Sequence, residues 1–371
     1  MPRRCVLSDW AAPWPRDDDF VVRELPAYLP CGQGEHVYVH VYKRQLTTMQ
    51  VVNRLASAFG VRGRNIGYAG LKDRAALTSQ WFSIPFREAP QAALERLGGD
   101  ASLWVSECSR HGNKLRTGHS RGNAFSLRLA EASPERLADL KERLDSLAQF
   151  GMPNYYGRQR FGSDAGNVER ALSQLARGTL QETRVGRLLV SALQSAVFNL
   201  CVGMRAEALG WDTLCEGDVM QRVDNGACFL CEDVERESAR MQAGEVVWTA
   251  PILGPKSLQS GARAREFEDA AARAVGLSLR DGQWWPLSEA GRWARGSRRA
   301  ALVRPLGVEL RRGSEGEATP WSESEAEAER FWLDVSLPTG SYVSVLLREL
   351  LFESDVDRPD RAESCSEEYA G

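Results

Sequence analysis

Residues 67–80 read GYAGLKDRAALTSQ, and they place one acid, Asp73, between two bases, Lys72 and Arg74, in a turn of small residues. A short apolar strand is predicted over 66–69 and a second strand over 77–84, so Asp73 is predicted to lie on a loop between strands. Loops that a rigid scaffold braces are where catalytic groups tend to lie. An aspartate in such a turn more often caps backbone N–H groups, so the stretch by itself leaves both interpretations open.

The segments before this turn predict strands with a helix behind them. Residues 20–22 and 36–42 alternate with period two, which indicates strands. Apolar residues then recur at spacings of three and four over 46–59, and Gly60 follows as a stop signal. This spacing predicts an amphipathic helix that ends at Gly60.

The rest of the chain becomes mainly helical and then returns to alternation. Ser133 is the predicted N-cap of a helix over 133–149. Residues 156–302 are interpreted as a second domain, whose predicted helices cover 167–177, 187–209 and 262–275. Alternation at 332–335 and a loop leading into a helix complete the pattern. Strands and helices mixed in this way predict an α+β protein of two domains.

The composition of the 371 residues is that of a soluble globular protein, with 43% hydrophobic and 26% charged residues. The most apolar run, LLVSALQSAVFNLCV at 188–202, is interrupted by polar residues. It is shorter than the ~18 uninterrupted apolar residues of a membrane span, so a buried helix is predicted. The first twenty residues contain no apolar leader segment, which favours a cytoplasmic protein.

The cysteines suggest neither a disulfide framework nor a metal site. Of the eight cysteines, only Cys228 and Cys231 have the C-x-x-C spacing of metal and redox motifs. A structural zinc site needs four ligands, and no second pair lies at a matching spacing. We therefore expect ordinary thiols and no metal or other cofactor.

The net charge of −3 conceals a basic segment. Residues 108–128 contain five Lys or Arg, two of the four histidines and no acid. Such a stripe attracts phosphate backbones, although a solvated charged face is the common alternative. The candidate residues for binding a nucleic-acid backbone are Arg110, Lys114, Arg116 and Arg121, together with Arg158 and Arg160 of the later GRQRFG turn.

Five motifs in a fixed order resemble the TruD family of tRNA pseudouridine synthases. They are GYAGLKDRAALTSQ (67–80), HGNKLRTGHSRGNAF (111–125), NYYGRQRFG (154–162), VSALQSAVFN (190–199) and LPTGSYVSVLLREL (337–350). The resemblance covers about residues 17–352. It implies that Asp73, the aspartate of the AGxKD motif, is the catalytic residue.

The resemblance also implies an architecture and a substrate. The expected fold is an α+β, mixed-sheet pseudouridine synthase catalytic domain, residues 1–155 plus 303–352, interrupted by an inserted TruD-specific α/β domain at 156–302. Residues 353–371 form an acidic tail outside the match and are expected to be disordered. The implied substrate is the uridine at position 13 of certain tRNAs, isomerised without a cofactor. We expect a monomer that acts on tRNA and does not associate with membranes.

Motif position suggests which residues hold the base. Phe20, Phe125 and Tyr342 are candidates to stack on the uracil, although each can equally be a core aromatic residue. Asn123 can bond the uracil edge, and Lys72 is a further substrate-binding candidate. An ionised Asp73 needs a basic neighbour.

The sequence departs from the family pattern at several positions. Where the family has a basic residue before the DF dipeptide, this chain has Trp14, with Arg16 nearby. His119 stands where the family more often has an apolar residue, and Tyr156 and Tyr342 stand where Phe is commoner.

Two other functions remain open at the level of sequence. An RNA N-glycosidase could use the same carboxylate and would release free uracil. A catalytically inactive RNA-binding protein would keep the basic surface, although retention of Asp73, Asn123 and the aromatic residues argues against it.

Overall fold

The computed structural model describes residues 19–72, 74, 76–99, 101–129, 134–162, 164–312 and 331–351. Five features named above lie outside the described residues: Trp14, Arg16, Asp73, Ser133 and the acidic tail.

The strands of the described chain are numbered in chain order. They are β1 (Phe20–Pro26), β2 (His36–Lys43), β3 (Gly67–Tyr68), β4 (Leu77–Pro85), β5 (Leu103–His111), β6 (Ser120–Leu129), β7 (Met152–Pro153), β8 (Val219–Arg222), β9 (Cys228–Leu230), β10 (Val246–Ile252), β11 (Ser278–Arg280), β12 (Gln283–Trp285), β13 (Ser297–Ala300), β14 (Leu302–Val303), β15 (Leu306–Arg312) and β16 (Phe331–Pro338).

The α-helices are numbered in the same way. They are α1 (Thr48–Phe59), α2 (Gln91–Glu95), α3 (Pro134–Phe150), α4 (Asn167–Ala176), α5 (Arg184–Leu209), α6 (Val234–Gln242), α7 (Ala262–Ala274) and α8 (Val343–Leu351).

The largest sheet is mixed and contains strands from both ends of the chain. Its order is β15-β16-β6-β1-β4-β2-β5, and β3 also pairs with β4. The β1–β4 pair is parallel, whereas β6 is antiparallel to both β1 and β16. The α+β fold class expected from the sequence is confirmed.

Helices cover this sheet by burying one apolar face each. Helix α1 contributes Val51, Val52 and Leu55 to a core shared with β2 and β4. It begins with a capping box at Thr47 and ends where Gly60 adopts a left-handed φ of 67°. Helices α3 and α8 pack over β6 and β16 in a second core that includes Leu144.

The segment between β7 and β14 builds a separate core around helices α4, α5 and α7. A four-stranded sheet of order β13-β10-β8-β9 packs with these helices. Strand β7 pairs with β14, with Met152 opposite Val303 and Pro153 opposite Leu302. The chain therefore leaves the larger sheet and returns to it through one two-stranded ribbon.

Helix α5 is the apolar segment for which a buried helix was predicted. By length and composition alone it could cross a membrane, but 61% of its most apolar window is buried inside the protein. Val197 and Phe198 of this helix are fully buried with Trp248 of β10. Here α5 serves as the central helix of a core.

A buried ion pair joins α5 to the four-stranded sheet. The Arg205 guanidinium lies 2.5 Å from Asp218 Oδ1, with side-chain exposures of 3% and 1%. Its Cζ atom also lies 3.9 Å from the Trp248 ring centre. Removing one partner of such a pair leaves the other charge buried without compensation.

We expect Arg205→Leu to lower the free energy of unfolding by about 3–5 kcal/mol, because Asp218 would lose its counter-charge. Urea denaturation of the purified chain measures the change. The matched control is Arg222→Leu, because Arg222 pairs with Asp224 at the exposed surface. The control should leave the denaturation midpoint nearly unchanged, and equal losses in both variants would contradict the interpretation.

Candidate functional site

The loop that carries Asp73 is fastened to α1 and β4 by buried side chains. Thr48, the first residue of α1, accepts a hydrogen bond from the Lys72 backbone N–H at 2.9 Å and donates to Gln80 Oε1 at 3.0 Å. Gln80 Nε2 donates in turn to the Gly70 carbonyl oxygen at 3.1 Å. Asp73 itself lies outside the described residues, but the backbone immediately before it is held on both sides.

The residue after Asp73 is held by the same part of the chain. Arg74 Nε donates to the Gln45 carbonyl oxygen at 3.2 Å, just before α1 begins. Gln45 has a φ of 54°, a left-handed conformation that is uncommon for a residue other than glycine. The entry to α1 thus bonds to residues on both sides of position 73.

Lys72 forms the charged centre of the described site. Its Nζ atom lies 3.3 Å from Glu24 Oε2 and donates to Asn123 Oδ1 at 2.7 Å. The side chains of Lys72 and Glu24 are 7% and 1% exposed. Glu24 Oε1 also accepts the Trp81 backbone N–H at 3.2 Å. A cation, an anion and an amide therefore share one buried cluster next to position 73.

The sheet places Asn123 in this cluster. Asn123 of β6 is the register partner of Glu24 in β1 and of Leu337 in β16. A Cβ atom on the preceding residue, Gly122, would lie 2.2 Å from the Leu337 carbonyl oxygen, so this close approach of β16 requires glycine. Asn123 Oδ1 accepts the hydrogen bond from Lys72, so the amide nitrogen is left as the hydrogen-bond donor of this side chain.

Burial and the ion pair act in opposite directions on Glu24. Burial raises the pKa of its carboxyl above the ordinary value, and the Lys72 charge and the Trp81 N–H partly offset that rise. Burial has the larger effect. The additional hydrogen bonds of Glu24 and Lys72 partly compensate for the cost of burying both charges.

The two phenylalanine candidates pack on each other. The Phe20 and Phe125 rings are stacked, with centroids 6.3 Å apart and an interplanar angle of 9°. Phe125 is 7% exposed and belongs to the core beneath α3 and α8. Phe125 and Phe20 lie two and four positions from the Glu24–Asn123 pair in the same direction along the sheet, and base stacking by either remains a prediction.

Tyr342 lies in a different cluster, together with the GRQRFG turn. Arg160 Nη2 donates to the Tyr342 hydroxyl at 3.0 Å, and the Tyr156 ring contacts Tyr342 edge to face at 6.0 Å. Asn199 of α5 holds the Tyr156 backbone through its Oδ1 and Nδ2 atoms, at 2.8 and 3.0 Å. Three of the five sequence motifs therefore meet here.

The basic candidate residues differ in how many of their side-chain donors already form hydrogen bonds within the protein. Lys114 donates to the Arg64 carbonyl oxygen at 2.9 Å. Arg116, Arg121 and Arg158 are exposed, and no ion pair to another described residue involves them. Arg110 donates to four backbone carbonyl oxygens, those of Gly34, Phe86, Arg87 and Glu88. Arg110 therefore also braces the loops around it.

The C-x-x-C pair sits on a strand and the loop after it. Cys228 is partly buried in β9 and Cys231 is buried, and burial raises the pKa of both thiols. Among the described residues, no three His, Cys, Asp or Glu side chains are grouped as metal ligands.

Sequence reasoning missed Glu24, Thr48 and Gln80. Glu24 carried a usable signal, because in a strand of period two it shares a face with Val22, and a charge on an apolar face needs a partner. Thr48 and Gln80 carried none, since their roles depend on contacts 24 and 32 residues away.

Comparisons with known proteins agree on one family. The family model described as tRNA pseudouridine synthase D (TruD) matches residues 15–183 and 164–350. The tRNA pseudouridine synthase D of Anaeromyxobacter sp. (strain Fw109-5) is 37% identical over 341 residues, which cover 90% of each chain. That of Thermus thermophilus is 37% identical over 357 residues, covering 95% of this chain and 92% of the relative.

A solved structure shares the fold. The crystal structure described as a tRNA pseudouridine synthase D (TruD) from Methanosarcina mazei superposes with a TM-score of 0.66. The match covers 91% of this chain and 92% of that chain at 24% identity.

We expect Glu24→Gln to change how stability depends on pH. The folded protein holds the Glu24 pKa above its ordinary value of 4.5, so ionisation of this carboxyl lowers the free energy of unfolding as pH rises from 4.5 through the raised pKa. Glutamine cannot ionise, and it can still accept the Trp81 N–H.

Thermal unfolding of both proteins over a pH series measures this effect. The melting temperature of the variant minus that of the wild type should increase as pH rises through that window. A constant or falling difference would mean that burial does not dominate the Glu24 pKa.

Proposed function

The chain belongs to the tRNA pseudouridine synthase D (TruD) family, and we propose that it isomerises a uridine of tRNA, at position 13, with Asp73 as the catalytic residue. The observation that carries this proposal is the buried cluster of Lys72, Glu24 and Asn123, which fixes the backbone beside position 73. Lys72 precedes Asp73 directly, so the loop cannot move far without breaking that cluster.

The reaction fits a site with one carboxylate and no redox group. The bond between uracil N1 and ribose C1′ breaks, the detached base turns, and C5 bonds to C1′ while C5 loses a proton and N1 gains one. An ionised Asp73 serves either by adding covalently to the sugar or base, or by removing a ribose proton. Both routes require the carboxylate to be held in one place.

The described residues supply the other requirements of this chemistry. The target base must leave its stack, and edge hydrogen bonds offset part of that cost. The Asn123 amide nitrogen is oriented for such a bond by the contact between Oδ1 and Lys72. Val22 and Leu337 are buried on the same face of the sheet as Glu24 and Asn123, and apolar surroundings of this kind help keep water from the cleaved C1′ atom.

The organisation of the chain is part of the proposal. Residues 1–155 plus 303–352 would form the catalytic domain and 156–302 an inserted domain, with tRNA bound between them. The pairing of β7 with β14 at both boundaries supports this division. We propose a monomeric enzyme of the cytoplasm that needs no cofactor and does not associate with membranes.

We expect Asp73→Asn to abolish pseudouridine formation while leaving the fold and tRNA affinity unchanged, because asparagine keeps the size of the side chain and removes the nucleophile or base. The assay incubates unmodified tRNA with purified protein and locates pseudouridine by chemical derivatisation. Substantial turnover by the variant would refute the assignment of Asp73. Release of free uracil by the wild type would instead indicate an N-glycosidase.

We expect Thr48→Val to lower the single-turnover rate by about tenfold or more, because it removes the hydroxyl that holds the Lys72 backbone and so displaces the loop. Thr48→Ser is the matched control, since it keeps the hydroxyl and should retain most of the rate. Binding of tRNA should change little in either variant. Equal rates in the valine and serine variants would show that this anchor does not position the catalytic loop.

A further inference from the structure

Two arginines that are distant in sequence share one aromatic ring. The Cζ atoms of Arg160 and Arg299 lie 5.1 and 4.2 Å from the centre of the Tyr156 ring. Arg299 also lies 5.4 Å from the centre of the Phe198 ring. Sequence reasoning did not identify Arg299, which lies in β13 and outside the five motifs.

The hydrogen-bond partners of both guanidinium groups are neutral. Arg160 donates to Ser191 Oγ at 3.3 Å and to the Tyr342 hydroxyl at 3.0 Å. Arg299 donates to the carbonyl oxygens of Asn154 and Gly340, at 2.9 and 3.0 Å for Nη2, and also to Asn154 Oδ1. No carboxylate of a described residue forms an ion pair with either arginine.

The neighbouring arginine shows the contrasting arrangement. Arg298 precedes Arg299 in β13 and pairs with Glu268 at 2.8 Å, with both side chains almost fully buried. Arg205 is likewise matched to Asp218. This region of the protein neutralises other buried arginines with acids, so the unmatched charge on Arg160 and Arg299 is a local feature.

The cluster has unused capacity for an anion. Arg160 Nε is buried and has no hydrogen-bond partner among the described residues. Burial lowers the pKa of Arg299, and the charge of Arg160 adds to that effect. A bound anion would offset the repulsion between the two guanidinium groups.

We propose that Arg160 and Arg299 form a binding site for a phosphate group of the RNA backbone, with the Tyr342 hydroxyl as the group that orients Arg160. The proposal rests on the function proposed above, which supplies RNA as the ligand. A guanidinium fork matches phosphate oxygens in geometry and in charge. The exposed Arg158, two residues before Arg160, adds a further cation at the same turn.

The position of the cluster suits a phosphate close to the target nucleotide. Leu337 is the register partner of Asn123, and Gly340 lies three residues beyond Leu337. At most about 10 Å of extended chain therefore separates Gly340 from Leu337. Arg299 belongs to the four-stranded sheet, whereas Gly340 and Tyr342 follow β16 of the larger sheet. One phosphate would therefore be bound by Arg299 of the smaller sheet and by Arg160, and both guanidinium groups are held by residues that follow the larger sheet.

The test compares tRNA binding by Arg160→Gln and by Arg170→Gln over a range of salt concentrations, with an unmodified tRNA transcript as the probe. Both variants remove one positive charge from the same region, but Arg170 is exposed and paired with Asp164. We expect Arg160→Gln to weaken binding roughly tenfold at low salt. It should also reduce the slope of log affinity against log salt by about one unit, whereas Arg170→Gln should do neither.

A milder variant guards against a general loss of folding. Tyr342→Phe removes only the hydroxyl that orients Arg160 and should weaken tRNA binding by about fivefold without lowering the melting temperature appreciably. Wild-type affinity and slope in Arg160→Gln, or an equal change in Arg170→Gln, would overturn the phosphate site. So would wild-type affinity in a folded Tyr342→Phe protein.

These results are independent of the catalytic assignment. If the wild type forms no pseudouridine but Arg160→Gln still reduces the salt slope, the proposed function fails and the phosphate site stands. If the wild type forms pseudouridine and the slope is unchanged, the phosphate site fails and the proposed function stands.

Discussion

The buried ion pair between Lys72 and Glu24 is the constraint around which the larger sheet and the loop that leads to Asp73 are arranged. Two charges removed from water are tolerated only when their remaining hydrogen-bonding groups are also satisfied. The Trp81 N–H on Glu24 Oε1 and the Asn123 amide oxygen on Lys72 supply such bonds, and they tie β1 to β4 and β6. A shift of one residue in β6 would turn Asn123 to the other face and leave Lys72 without its partner. The contacts that place the loop before position 73 therefore also align β1 with β4 and β6.

A second group of contacts links the inserted segment to that sheet. Asn199 holds the Tyr156 backbone, and Tyr156 in turn contacts Tyr342 and Arg299. These contacts join α5, the turn at 157–160 and the segment after β16 without a single carboxylate from the described residues. Neutral partners leave the positive charge of this junction available, which suits a protein whose overall charge is −3 but whose substrate is a polyanion.

The sequence predicted the elements well because their signals are local. The three-and-four spacing before Gly60 gave α1, and the helices over 167–177, 187–209 and 262–275 appear within a few residues of their predicted bounds. The motif order identified the family and brought attention to Asn123, Lys72 and Tyr342. It could not show that Lys72 is paired with Glu24, or that Arg110 is bonded to backbone carbonyls, because those contacts join residues far apart in sequence. Arg299 was missed for the same reason, since nothing around it differs from an ordinary polar strand.

The ribbon of β7 and β14 has a consequence for the order of assembly. Ser126 of β6 bonds Asp334 of β16 across 208 residues, and contacts so distant in sequence are slow to form because a long loop must close first. Once residues 154–301 have folded around their own core, Pro153 and Leu302 are adjacent, and the effective loop between β6 and β16 is far shorter. Folding of this segment would thus bring β15 and β16 close to β6, where they complete the sheet. If the β7–β14 ribbon formed late, the edge of β6 that pairs with β16 would stay unpaired for longer. Unpaired strand edges promote aggregation, so the formation of this small ribbon would influence whether the chain folds or aggregates.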